Sequence, residues 1–574
     1  MQRKQLTLVI LSLLVVVLSV SLAYFTAQII GKGKNVTINS ADLKIIFTDS
    51  DGSISGSNIE PGKWDVTKTF TIENKSNETY KYNIIIQDLV NTFVTTGYLQ
   101  YKITSADGGY NMTEFKEVPK SETATDTILA YSVSIPVGVT QSYTVEFKYV
   151  NDESVDQSED MGKTLSGKLF ITEGTEEPTL LSQLLADKST VLTRTDFSTV
   201  LTDDNTKTLY TSTEDSKTVY YFAGNATDNW VKFGKTNKNE CTYNGSTVLY
   251  FDGSSIVSVE NESQCLSSKI CKLGDQYGVG ETVTEDFCTS QGAEWTNQNA
   301  KWSTSTYNIY WRIIRTNHDG SIRLLYSGTS PDTTNGNIGE SVFNPLKNNP
   351  KYVGYKYGED TSLDTIRNNT TDSAIKTYVD NWYKNNLTNY TKYLSTSAVY
   401  CNDRNEGAGQ KYNYASSPSS KFNFASYYRM DYDTKGAKAN PSYNCTDIRD
   451  AFSVDNTSAK LTYPVSLMTS DEIVFAGGVA RTTMNTPYAW HYLNSAGGSI
   501  TGSGYWWSLS PRCWYGSGAS VWGWDSYQAR LIDRDVFGTS PVRPVISLKS
   551  CIKYSTGDGT AENPYTILET TSGC

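Results

Sequence analysis

Apolar and polar side chains alternate along six segments between residues 35 and 173: 42–48, 66–74, 80–87, 131–137, 142–150 and 165–172. A period of two places successive side chains on opposite faces of a strand, so each segment reads as a β-strand with one buried face. Turn residues separate the segments at 61–62, 74–77 and 107–109. Short strands at this spacing predict a β-sandwich over residues 32–174.

The period changes beyond Pro178. Leu180, Leu181, Leu184 and Leu185 share one face of a helix predicted at 179–192, and 194–217 is polar and reads as a loosely held connection. Residues 175–217 are therefore expected to be a linker carrying a short helix. Strands return at 219–224 and 230–234, and 307–326 reads as a hairpin turning at 317–320. The region 364–394 carries a helix whose apolar face holds Ile375, Tyr378, Val379, Trp382 and Tyr383, capped by Asp372 or Ser373. Thr469 and Glu472 have capping-box spacing for a helix at 471–476. Residues 408–444 show little periodicity and read as loop. Three β-type runs come next, 505–509, 529–533 and 542–548. The expectation for 218–574 is one α+β domain, with a variable insertion at 241–302. The fold class expected for the whole chain is multidomain and mainly β.

The N-terminus adds a membrane-related segment. Arg3 and Lys4 precede residues 6–30, which carry no charge and are long enough to span a bilayer. Two readings stand: a single-pass anchor over 1–31, or a signal peptide cut before Tyr24 with Ser21 and Ala23 at the −3 and −1 positions. Both place the chain beyond Gly31 outside the cell. It is then a membrane protein with an extracellular C-terminal part, or secreted to the cell wall if the signal is removed.

Composition narrows the function. Only 19% of the 574 residues are charged, while Tyr (40) and Gly (42) are abundant, as in extracellular β proteins. A net charge of −11 argues against nucleic acid as a partner. Two histidines make His-based metal or acid–base sites improbable, and His318 in its turn reads as a solvated loop residue. All nine cysteines lie at or beyond Cys241, with no CxxC spacing, so disulfides are favoured over metal. Proximity suggests Cys271–Cys288 and Cys401–Cys445. An odd count leaves one thiol free or paired between molecules.

The stretch 504–548 concentrates the candidate chemistry. Between its first two β-type runs lies a Gly/Ser-rich segment carrying Trp514, Tyr515, Trp522, Trp524 and Tyr527. Rings this large need a wall to pack on, so they either close a core or meet a ligand, stacking on a sugar face or a protein anchor. These five are the candidate ligand-binding residues. Other chemistries fit less well. His318 and His491 sit in no nucleophile motif, and Gly516–Ser520 lacks the lysine of a P-loop. Asp525, Asp533 and Asp535 are near the rings, but nothing in the sequence gives the separation a glycosidase needs. Asp49–Gly52 could begin a calcium loop but lacks its remaining ligands, and a polar turn is favoured. Asn-x-Ser/Thr triplets at Asn35, Asn77, Asn225 and Asn386 are read as unglycosylated. No cofactor is expected.

Several of these stretches resemble known families. "WWSLSP" followed by a run ending in "VRPVISL", with "YWRIIRTNHDGSIRLLYSG" (310–328), "AIKTYVDNWYKNNL" (374–387), "YPVSLMTSDEIVFAGG" (463–478) and "GDGTAENPYTI" (557–567), is similar to uncharacterised surface domains of Gram-positive bacteria. Those domains resemble the C-type-lectin-like fold shared with formylglycine-generating enzymes. The resemblance covers roughly 219–567 and implies a lectin-like α+β domain. It does not carry the oxidase chemistry, because the paired copper-binding cysteines are unmatched: Cys513 stands alone in its loop and Cys551 lies beyond the last strand. "SLAYFTA" resembles the export signals of camelysin and TasA-type fibre proteins, and "IEPGKWDVTKTFTIENKSNETYKYNIII" the opening hairpin of immunoglobulin-like or TasA-like surface sandwiches. The expectation is an exported binding or adhesion protein showing a lectin-like domain on a sandwich stalk to an extracellular glycan or protein. The alternatives are a self-associating subunit of a matrix fibre or pilus, and an oxidase of the formylglycine-generating type.

Overall fold

A computed structural model describes residues 36–38, 43–47, 52–56, 59–201, 205–331, 336–413, 421–430, 439–480, 504–526 and 528–574. The expected anchor or signal at 6–30, Asp49–Asp51 of the turn, His491 and Tyr527 lie outside the described residues. Among those described, no helix is long and apolar enough to cross a membrane. The chain is mainly β and divides into two compact units, one ending at Glu177 and one running from Pro178 to Cys574.

The first unit is two antiparallel sheets on a shared core. One runs Val36–Ile38, Leu43–Phe47, Asp65–Asn74, Thr140–Tyr149, Leu99–Ser105 and Lys116–Glu117 in spatial order. The other runs Ser53–Gly56, Leu165–Glu173, Tyr80–Asn91 and Ser121–Ile135. Thr140–Tyr149 shows why the alternation was readable: Gln141, Tyr143, Val145, Phe147 and Tyr149 are buried and the residues between them are not. Phe70, Ile72, Val145 and Phe147 of the first sheet meet Tyr82, Ile84, Ile86 and Leu169 of the second in one cluster. Leu99–Ser105, which the alternation had not singled out, also belongs to this core.

The second unit begins earlier than the sequence suggested. The helix α1 (Leu180–Asp187) is capped by Thr179 and buries Leu180 and Leu184 in the main core. Thr190–Thr193 pairs in parallel with Thr208–Glu214, which pairs in turn with Lys217–Tyr221. Lys188 is fully buried, its Nζ 2.6 Å from Asp228 Oδ2 and 2.8 Å from the Asp228 carbonyl oxygen. The described part of 194–217 is thus built into the sheet rather than loosely held; its strands are polar because their side chains are partly open to solvent.

The long strand Lys301–Thr316 is the spine of this unit. It pairs with Trp230–Tyr243 on one side and with Ile322–Tyr326 on the other. Ile322–Tyr326 continues to Pro544–Leu548 and then to Val465–Leu467. The turn at 317–320 forms as expected, with Gly320 at φ +79°. His318 is not a free loop residue: its backbone N–H donates to Glu214 Oε2 at 2.6 Å and its Nδ1 lies 3.1 Å from the same oxygen. The region 364–394 is a series of short pieces around α2 (Ala374–Asn386), capped by Ser373, with Ile375, Val379 and Tyr383 buried. Residues 241–302 form a small satellite sheet with its own cluster, braced by the Cys241–Cys265 and Cys271–Cys288 disulfides. Cys401–Cys445 and Cys551–Cys574 complete four bonds, leaving Cys513 as the free, buried thiol.

Candidate functional site

The aromatic stretch is a sheet, not a loop. Tyr505–Trp514 pairs with Ala519–Asp525, which pairs with Arg530–Asp535, and Phe422–Asn423 adds a fourth strand. The turn of the first hairpin is only residues 515–518. Every residue of Ala519–Asp525 is buried. Gly523 reflects this crowding: a Cβ there would stand 2.6 Å from Arg534 Cγ. A Gly/Ser-rich composition signals a turn in most chains; here Gly523 lets the Arg534 stem of the neighbouring strand lie close against the backbone.

This placement corrects the ligand-binding assignment of three candidates. Trp514, Trp522 and Trp524 are each 0% exposed and belong to the main core. Trp506 and Trp507 are buried too, Trp507 donating from Nε1 to the Ser341 carbonyl at 2.8 Å. Of the described candidates only Tyr515, at the hairpin tip, reaches the surface, at 38% exposure. Two other exposed apolar residues that no sequence pattern had singled out, Phe537 (56%) and Leu346 (53%), lie on segments joined to the same hairpin. Backbone contacts knit the three segments together: Tyr515 N–H donates to Gly518, Ala519 N–H to Lys347 and Val536 N–H to Ala519. Lys347 lies 2.8 Å from Asp535 and over the Phe537 ring, and exposed Lys421 lies 6.0 Å from the Tyr515 ring centre.

Beneath the tip, the buried Arg512 guanidinium packs between the Trp522 and Tyr427 rings, with its carbon 5.0 and 5.1 Å from their centres. Its Nη1 donates to the Tyr515 hydroxyl at 3.1 Å and to Cys513 Sγ at 3.0 Å. Arg512 therefore fixes the ring that the tip presents. Burial pushes the Cys513 thiol above its ordinary value, against the pull of Arg512. A protonated, enclosed sulfur is a poor nucleophile and a poor partner for an intermolecular disulfide. Iodoacetamide is accordingly expected to leave the native chain unlabelled and to add a single label once the unreduced chain is unfolded, as read by mass spectrometry. Labelling of Cys513 in the native chain would contradict this.

A second cluster is made of charges. Glu472 is 1% exposed, and its Oε1 accepts from Arg315 Nε at 2.9 Å and from Arg323 Nη1 at 2.5 Å. Arg315 reaches Glu214 at 2.9 Å, while Arg429 bridges Asp471 and Asp403. Burial alone would raise the Glu472 carboxyl; the two guanidiniums and the Thr469 N–H outweigh it and hold the group at about 2. The cavity among these groups is about 20 Å³, space for a single water rather than a substrate. A legible signal existed: Arg312, Arg315 and Arg323 interrupt the apolar runs of 309–316 and 322–326, and Glu472 sits in the capping box that does form.

The remaining candidates separate. Cys551 is bonded to Cys574, so Cys513 has no neighbouring cysteine with which to hold copper. Asp535 is tied to Lys347, while buried Asp525 accepts from the Gln528 N–H. Among the described residues no group of three or more His, Cys, Asp or Glu is placed to hold a metal. One open groove, of about 430 Å³, lies between the start of α2 and residues 341–345. No family model matches the chain, and neither the curated proteins nor the solved structures contain a significant match to it.

Proposed function

We propose that this chain is an exported binding or adhesion protein. In this reading the β-sandwich is a stalk and the second unit, of lectin-like type, presents the ligand face. The observation that carries it is the set of exposed apolar side chains at this end of the sheet, Tyr515, Phe537 and Leu346, with Lys347 beside Phe537 and Lys421 beside Tyr515. Exposed rings beside cationic side chains suit attachment to a wall polymer or a surface protein. Four disulfides in the second unit support an oxidising, extracellular setting. The alternative of a self-associating fibre subunit loses one of its supports, since the odd cysteine is enclosed.

The test is pull-down of the full chain on whole Gram-positive cells and purified walls, beside a Tyr515→Ala, Phe537→Ala double variant. The expected result is retention of the wild type and at least about a tenfold loss in the variant, equivalent to about 1.4 kcal/mol. The double variant should keep its melting temperature within a few degrees, because both residues are exposed. Equal retention of the two proteins would remove the patch from the binding account.

A further inference from the structure

The end of α1 holds a lysine where lysines are seldom found. The side chains of Lys188 and Asp228, forty residues apart in sequence, are 0% and 3% exposed. The Lys188 Nζ lies 2.6 Å from Asp228 Oδ2 and donates to the Asp228 carbonyl oxygen at 2.8 Å. Beyond these, the rings of Phe222 and Tyr565 wall it in, with centres 5.5 and 5.6 Å away. On the carboxylate, Oδ2 also accepts from the Lys207 N–H at 2.7 Å, while Oδ1 is buried without a hydrogen-bond partner. Lys207 stands at φ +57° in the turn that brings this N–H to the carboxylate, a left-handed conformation uncommon for a residue with a side chain.

As an ion pair this arrangement is incompletely satisfied. Two charges leave water favourably only when hydrogen bonds meet their remaining lone pairs and protons, and Oδ1 has none. An amide made from the same two groups asks for less: one acceptor for its N–H and one donor for its oxygen. The Asp228 carbonyl and the Lys207 N–H are already in place as those two partners.

We propose that Lys188 and Asp228 condense into an intramolecular isopeptide bond. Nζ adds to Cγ, the Nζ–Cγ bond forms and the Cγ–Oδ1 bond breaks. Of the three ammonium hydrogens, one stays on the amide nitrogen and two leave with Oδ1 as water. Atoms and charge balance with no co-reactant. The Lys207 N–H holds the negative charge that Oδ2 carries during the addition, and Oδ2 remains as the amide oxygen. Fixing the amine against the carboxyl makes the step intramolecular, which supplies its rate. The bond ties the end of α1 to the start of Trp230–Tyr243; like a disulfide it restricts the unfolded chain, but it survives reduction. Lys376, also 0% exposed, is the contrast. Asp372 at 3.1 Å and Asp380 at 2.6 Å share it, Asp372 is 39% exposed, and among the described residues neither carboxylate accepts a backbone N–H.

The experiment is peptide mapping of the purified full chain, reduced, alkylated, unfolded and digested with trypsin, with fragmentation to locate any cross-link. The major form should be a peptide uncut at Lys188 joined to the peptide carrying Asp228, lighter than their sum by one water. Its fragments should place the bond on those two side chains, and Lys376 should appear in ordinary cleaved peptides. Lys188→Arg should release the two peptides separately. Separate peptides as the major form of the wild type, or fragments that place the bond on other residues, would overturn the proposal.

Discussion

Replacing Glu472 with alanine is expected to cost the second unit about 3–5 kcal/mol, because it strips a buried pair of arginines of the carboxylate between them. Arg315 would keep Glu214, but Arg323 would lose its ion-pair partner while remaining 1% exposed. The same substitution removes the reciprocal bond to the Thr469 N–H at 2.9 Å, undoing the cap of Ser470–Phe475. Glu472→Gln can still cap the helix, so its loss should be smaller though still plain. Denaturant midpoints followed by circular dichroism would measure both; equal stability of wild type and Glu472→Ala would refute the cluster. Acid provides an independent reading. The carboxyl is depressed from 4.5 to about 2 in the fold, so its stabilisation is whole above about pH 4.5 and is lost as pH falls through 2. Glu472→Gln should flatten that part of the stability profile.

Trp522→Ala is expected to be comparably severe, at about 3–5 kcal/mol. The ring is 0% exposed, donates from Nε1 to Ser426 Oγ at 3.2 Å and supports the Arg512 guanidinium. Truncation leaves a cavity inside a sheet with little freedom to close, and removes one face of the arginine that anchors Tyr515. Against a typical total stability of about 5–15 kcal/mol, such a loss lowers the melting temperature by many degrees. Tyr515→Ala, in the turn one residue beyond Trp514, should cost less than about 1 kcal/mol. If Trp522→Ala melted like Tyr515→Ala, the ring would not be core.

The contrast between these two neighbours marks where the sequence could be read. Elements with a clean local period were legible: the alternation of Thr140–Tyr149, the Ile375, Val379 and Tyr383 face of α2, and the Thr469/Glu472 capping box. The pairs Cys271–Cys288 and Cys401–Cys445 were legible because they are close in sequence. Ala519–Asp525 was not, since it is buried on both faces and so has no alternation to detect, and Ser520 and Gly523 imitate a turn. Thr190–Thr193 and Thr208–Glu214 were missed for a related reason: the one is exposed throughout and the other mixes buried and open positions. The groove between α2 and residues 341–345 joins segments separated in sequence, a juxtaposition that only tertiary folding creates.

Hydroxyl-radical footprinting of the native full chain, read residue by residue by mass spectrometry, tests the division of the aromatic stretch most directly. Tyr515 and Phe537 should oxidise readily, while Trp514, Trp522 and Trp524 stay protected until the chain is unfolded. Oxidation of those three tryptophans in the native protein at a rate comparable to Tyr515 would contradict the account and return them to the ligand face.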